Sequence, residues 1–367
     1  MSSESDDYFQ STYQRPTRNK KQGKASMSNG TTLKKPLANP ASTAVSAAPF
    51  RIVSGVQSAQ RYLKIMLYAK FGHGKTVLAA QAVDVPETIY DMGDVLFVNV
   101  EGGTHSIVGS RAVKNYKHID VVPEEGTVPS FEMFDAIYRM LLAYCQARDD
   151  DDSDRLERMA QRYEFPALAK RNYKTVIIDS ISELNAISLQ RAFGENPNDL
   201  LNLSDSDDTR RDYGRNRQSM TKVLRAFRNL PMNVIVTCGA DWERNTEDRD
   251  TKPKYYPRLT GALSQEVQGY WDVVGFLYSP GRDEGATEED AQISSRLYLQ
   301  PGKFHDAKNR LAGRDIRYID NPSMTKLIAL LTTGSMPDNS TATNSMKSGK
   351  VEAVREKQIE KEKRPIR

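Results

Sequence analysis

Two features of the sequence predict an α/β layer fold on a mostly parallel central sheet flanked by helices. Short β-rich apolar runs alternate along the chain with amphipathic segments, and one run leads through a two-glycine loop directly into a helix. The runs are Lys64–Tyr68 (KIMLY), Val95–Val100 (VLFVNV), His118–Val122 (HIDVV), Thr175–Ile178 (TVII), Asn233–Thr237 (NVIVT), Asp272–Tyr278 (DVVGFLY) and Arg296–Leu299 (RLYL). Apolar runs of this length suit strands covered on both faces. Between Ser130 and Arg148, the residues Phe131, Phe134, Ile137, Tyr138, Leu141, Leu142 and Cys145 recur on one helical face, behind a serine suited to be the N-cap. A second amphipathic helix, about Asp212 to Asn229, turns Met220, Val223, Leu224 and Phe227 inward. The acidic stretch Asp149–Asp154 reads as a solvated loop.

A chain of 367 residues with 38% hydrophobic content is long enough to bury a substantial core, yet the composition is uneven. Residues 1–50 are rich in small and polar types without periodicity, and residues 336–367 are similar, so both are expected to be disordered tails around a domain at 51–335. The first tail holds seven basic and three acidic residues, and Lys347–Arg367 holds eight basic and four acidic. With a net charge of +4 overall, the part between the tails is mildly acidic. Cys145 and Cys238 cannot form a disulfide framework and stand in no zinc-like cluster. No run approaches the roughly 18–20 apolar residues of a membrane span, and the polar N-terminus lacks the apolar segment of a signal peptide. The expectation is a cytoplasmic protein without a membrane partner.

The chemistry is concentrated in Lys64-Ile-Met-Leu-Tyr-Ala-Lys-Phe-Gly-His-Gly-Lys-Thr76. Here a strand enters a glycine-containing loop, Ala69-Lys70-Phe71-Gly72-His73-Gly74, and a helix opens at Lys75-Thr76. Successive backbone N–H groups and a helix N-terminus converge on an anion in such a loop. Lys75 would reach the β- and γ-phosphates and Thr76 would ligate Mg2+, which makes ATP and Mg2+ the expected ligands. The usual pattern has glycine five residues before Gly74, where this chain has Ala69; a positive φ there would strain an alanine. Thr175-Val-Ile-Ile-Asp179 ends an apolar run in a carboxylate suited to the same ion. Val98-Asn-Val-Glu101-Gly-Gly103 ends another in Glu101, the candidate base for the attacking water, with Glu183 as the competing carboxylate.

The order of these motifs, closing with Ala307-Lys-Asn-Arg310, resembles the RecA-like P-loop ATPase core. In particular it is similar to phage-encoded RecA-like proteins that include single-strand-annealing recombinases. The phrases carrying the resemblance are Tyr68–Thr76, Val98–Gly103, Val176-Ile-Ile-Asp-Ser-Ile-Ser-Glu-Leu184, Tyr270-Trp-Asp-Val-Val-Gly275 and Ala307–Arg310, and it spans about residues 51–332. It implies an ATPase assembled as a ring or filament on single-stranded DNA, in the host cytoplasm if phage-encoded, with a single-strand DNA-binding protein as a further partner. Lys308 and Arg310 would then be fingers reaching the neighbouring subunit's γ-phosphate. The resemblance departs at Val236-Thr-Cys-Gly239, where RecA itself has a γ-phosphate-sensing glutamine and Thr237 offers a hydroxyl. It places DNA-binding loops at about Gly194–Arg217 and Trp242–Gly261, where Arg215, Arg217, Tyr255, Tyr256 and Arg258 combine charge with stacking surface.

Two rivals remain open on the residues alone. One is a nucleotide-gated DNA-binding scaffold or helicase accessory with little turnover, favoured by Ala69 and the missing glutamine. The other is a small-molecule kinase on the same loop, for which the sequence offers no acceptor pocket or Arg-rich lid.

Overall fold

The computed structural model describes residues 62–194, 209–243, 253–280 and 293–336. The chain divides into two units, Met1–Ile52 and Val53–Arg367; the first lies outside the described residues. So do all of the expected tails except Met336.

In chain order the elements are β1 (Lys64–Ala69), α1 (Lys75–Ala80), β2 (Asp94–Asn99), α2 (His105–Val108), β3 (Ile119–Val122), α3 (Phe131–Asp149), α4 (Ser153–Arg162), α5 (Ala167–Lys170), β4 (Tyr173–Asp179), α6 (Ile181–Phe193) and α7 (Thr209–Arg228). There follow β5 (Asn233–Glu243), β6 (Lys254–Pro257), α8 (Leu263–Glu266), β7 (Val273–Tyr278), β8 (Arg296–Tyr298), β9 (Lys308–Asn309), β10 (Tyr318–Asp320) and α9 (Met324–Thr333). The sheet runs β10-β8-β7-β1-β5-β4-β2-β3, with β6 on β5 and β9 on β7. Its centre is parallel: β1 pairs with β5 and β7, β4 with β5 and β2, and β2 with β3. The antiparallel pairings involve β6, β8, β9 and β10. All seven expected strands are present. The unexpected β6, β9 and β10 have two to four residues each, too few to show a period in sequence.

Side-chain alternation along the strands separates two cores. Met66, Tyr68, Leu96, Val98, Val176, Ile178, Val234 and Val236 face one side, where α3, α6 and α7 contribute Phe134, Leu141, Leu184, Leu224 and Phe227. Ile65, Leu67, Val95, Phe97, Ile177 and Ile235 face the other, covered by Leu78 and Ala79 of α1 and Leu327, Ile328 and Leu331 of α9. Burial on both faces explains why these strands read as apolar runs and not as alternating ones. Ser130 caps α3 as expected, accepting from the Met133 N–H. The acidic stretch is only partly loop: the Asp152 carboxylate accepts from the Arg155 N–H and starts α4 at Ser153.

The parallel strands bring their carboxyl ends to one edge. There Ala69 aligns with Gly239, Asn99 with Asp179 and Ile178 with Val236. At the opposite edge the Lys64 ammonium donates to the Leu230 and Met232 carbonyls at 2.8 and 2.6 Å. Burial lowers its pKa to about 7 from 10.5, against the opposing pull of Asp272. Between those values the unfolded chain binds more protons than the folded one, so raising pH through that window adds stability. Denaturant unfolding at pH 7 and pH 10 should show that gain, and Lys64→Met should reduce it.

Candidate active site

The loop after β1 has the backbone a phosphate cradle needs. Gly72 and Gly74 take φ of 72° and 86°, the left-handed region that glycine enters without strain, and Gly74 caps α1. Ala69 is not at such a position: it is the buried last residue of β1, in strand conformation and paired with Gly239. The missing glycine therefore introduces no backbone strain. Lys75 is only 6% exposed, yet among the described residues its ammonium has no hydrogen-bond or ion-pair partner; it lies 5.8 Å from the Phe71 ring centre. Its stem is buried while the ammonium at its end is left for an anion to pair.

Thr76 and Asp179 meet directly, the Thr76 hydroxyl donating to Asp179 Oδ2 at 2.8 Å. The Thr237 hydroxyl donates to Asp179 Oδ1, holding the other side of the carboxylate. Asp179 is fully buried, and burial raises its pKa, opposed by these two hydroxyls and by Lys75, while Glu101 raises it further. The site leaves no room at Gly103, where a Cβ would stand 3.2 Å from Asp179 Oδ2 and 3.7 Å from Thr76 Oγ1. The resemblance singled out the Thr237 hydroxyl only as standing where RecA has a sensing glutamine; its contact with Asp179 appears once β5 lies beside β4.

Glu101 is held at the same edge by backbone. Its N–H and that of Val100 donate to the Asp179 carbonyl at 3.0 and 2.7 Å, and Asn99 Oδ1 accepts from the Gly102 and Gly103 N–H groups. The Glu101 side chain is exposed, free to turn toward a ligand, and its charge reaches Asp179. Glu183 stands exposed in the first turn of α6, whose cap is Ser180.

Other expected residues lie elsewhere. Lys308 and Arg310 flank the start of β7, Lys308 aligned with Val274 and the Arg310 N–H donating to the Asp272 carbonyl at 3.0 Å. The phosphate loop leaves the opposite end of the neighbouring parallel strand, so neither serves this chain's own site. The Lys308 ammonium donates to the Gln268 carbonyl, and burial lowers its pKa to about 8; Arg310 is exposed. Tyr255 does not project from a loop as a stacking platform: it packs on Phe276 at 5.4 Å, with Lys70 4.6 Å from its ring centre. Tyr256 aligns with Asp241 in the β5–β6 ribbon. Arg258 lies against the phosphate loop, its guanidinium 4.5 Å from the Phe71 ring centre. Arg217 pairs with Glu266, and Arg215 is 3.4 Å from Asp212. Residues 195–208 and 244–252, which hold much of the two expected DNA loops, lie outside the described residues.

A family model described as an AAA domain matches residues 61–311, more than half of the chain and the whole of this site. The chain belongs to the AAA domain family. It is a P-loop ATPase built on a mostly parallel sheet flanked by helices. No curated protein matches it. Among solved structures, a KaiC-like protein from the hyperthermophilic archaeon Pyrococcus horikoshii aligns over 70% of this chain and 83% of its own. The identity is 12% and the TM-score 0.31. No helix among the described residues of this AAA domain protein is long and apolar enough to cross a membrane.

If Thr237 holds Asp179 ready for a metal ion, Thr237→Val should raise the Mg2+ concentration for half-maximal ATPase activity several-fold. Titrating Mg2+ at fixed ATP checks this, with thermal unfolding as the control for folding.

Proposed function

We propose that this ATPase binds ATP on Ala69–Thr76 and Mg2+ between Thr76 and Asp179, and uses turnover on single-stranded DNA. The observation that carries the site assignment is the Thr76–Asp179 hydrogen bond beside Lys75, a buried residue whose ammonium has no partner among the described residues. Two hard oxygen donors and an ammonium fit a metal-bound triphosphate. When bound, Mg2+ supplies charge neutralisation on phosphate oxygens. The chain's own contributions are the Lys75 charge, the loop N–H groups and the Glu101 carboxylate, which orients or deprotonates the attacking water.

The DNA reading rests on α7 and on the resemblance to phage-encoded annealing proteins. This helix carries Arg210, Arg211, Arg215, Arg217, Lys222, Arg225 and Arg228 against one acid, Asp212, which is buried. Along it, Gly214, Arg217, Gln218, Thr221, Lys222 and Arg225 border an open cleft of about 680 Å³ with Glu266 and Tyr270. Clustered cations beside an aromatic ring suit a single strand neutralised at its phosphates and stacked at its bases. Arg215 and Arg217 are assigned to DNA on this basis and Tyr256 on the resemblance, within phage recombination, annealing or replication. A single-strand DNA-binding protein is a fitting partner for that work. Residues 51–335 form the ATPase domain, the tails lying outside it. In a ring or filament, the exposed Arg310, with Lys308 beside it, would complete the site of a neighbour.

Lys75→Ala should abolish hydrolysis, and Glu101→Gln should slow it at least tenfold while ATP still binds. Mixing Lys75→Ala with Arg310→Ala protein should recover part of the activity, because each supplies what the other lacks. Recovery separates a finger acting in trans from a merely structural arginine. Replacing Arg215, Lys222 and Arg225 together by alanine should weaken single-stranded DNA binding and flatten its log–log salt dependence by about 2. Measuring phosphate release with and without single-stranded DNA separates an active motor from a nucleotide-gated scaffold.

A further inference from the structure

Arg258 has no obvious duty in the fold, yet the chain is shaped around it. Its N–H donates to the Gly239 carbonyl at 2.8 Å. The Ser182 hydroxyl accepts from the Gly239 N–H at 2.8 Å and lies 3.1 Å from the Arg258 carbonyl, to which it donates. The guanidinium lies against Gly239, where a Cβ would fall 2.9 Å from Arg258 Nε and 3.1 Å from its Cζ, so any side chain there would displace it. These contacts seat the guanidinium beside Gly239, midway along β5 and two residues beyond Thr237, which holds Asp179.

The guanidinium itself is unpaired. Among the described residues no carboxylate or carbonyl bonds to it, and it rests on the Phe71 ring at 4.5 Å from the centre. The same ring has the Lys75 ammonium at 5.8 Å. Phe71 is 64% exposed at the loop apex. Two cations at one loop thus lie near the same aromatic ring, and neither has a carboxylate partner among the described residues. Cation–π attraction holds such an arrangement only weakly against the Coulomb attraction of a polyanion. Because the loop's N–H groups wrap the inner phosphates, an arginine outside the loop meets the group that projects furthest.

We propose that Arg258 acts in cis as a γ-phosphate-binding residue, leaving Phe71 for the terminal phosphate when ATP binds. The proposal rests on the Lys75–Thr76 site being the nucleotide site. It reassigns Arg258 from DNA to nucleotide. Because β6 ends one residue earlier, at Pro257, and pairs with the outer half of β5, the displaced arginine carries the state of the nucleotide into the β5–β6 ribbon. That ribbon bears the half-exposed Trp242.

The test is equilibrium binding of fluorescent ADP and of a fluorescent, non-hydrolysable ATP analogue to the full chain. Arg258→Ala should lose at least tenfold in affinity for the triphosphate analogue and less than twofold for ADP. Arg258→Gln, closer in shape, should behave alike and guards against a folding defect, which thermal unfolding would reveal. Phe71→Ala keeps the guanidinium and should keep the preference for triphosphate. Equal losses for both nucleotides, or no loss for either, would overturn the proposal. Unchanged nucleotide affinities with weakened single-stranded DNA binding would return Arg258 to the DNA surface. If wild-type protein bound neither nucleotide, the site itself would fall, and this role with it.

Discussion

A buried carboxylate organises the carboxyl edge of this sheet. Asp179 ends the central strand β4 with no exposed surface, so its oxygens must be satisfied from within. Thr76 takes one and Thr237 the other, which ties the first turn of α1 and the strand β5 to the same atom group. Its backbone carbonyl accepts from Val100 and Glu101, which draws in the end of β2 as well. Three parallel strands and the phosphate loop are thereby registered on one residue. The hydroxyls favour the charged carboxylate that burial disfavours, leaving the group responsive to a cation.

The fold was legible because the strands are buried on both faces, so apolar runs and their order along the chain carry most of the information. Gly72, Gly74, Lys75, Thr76, Asp179 and Glu101 were legible for a different reason: they end such runs, and strand ends in a parallel sheet share an edge. Contacts between segments distant in sequence were not. The Thr237 hydroxyl stood out only against RecA's glutamine, and its hold on Asp179 shows once β5 lies between β1 and β4. Tyr255 and Arg258 looked like members of a polar, aromatic-rich loop. The short strand β6 folds them back, one against Phe276 and the other against Phe71. A four-residue antiparallel pairing has no period to announce itself, and its effect on side-chain direction is decisive.

Charge shows the same division between sum and placement. The net +4 is a poor guide, because the tails are basic while the part between them is mildly acidic. Within the fold, positive charge is concentrated on α7 and around the phosphate loop, and several of these cations are already engaged: Arg217 by Glu266, Lys308 by the Gln268 carbonyl. Cations without a protein partner among the described residues mark where an anion completes the molecule, and Lys75 and Arg258 both lie near the Phe71 ring.

The central claim is that Thr76, Asp179 and Lys75 form one metal–nucleotide site at the carboxyl edge of the sheet. Its most direct test is an experimental structure with Mg2+ and a non-hydrolysable ATP analogue. The account predicts phosphates cradled by the loop from Gly72 to Thr76, with the ion held by Thr76 and Asp179. Nucleotide bound instead in the cleft lined by Tyr62, Tyr90 and Arg310 at the opposite edge, or an ion that contacts neither Thr76 nor Asp179, would contradict it.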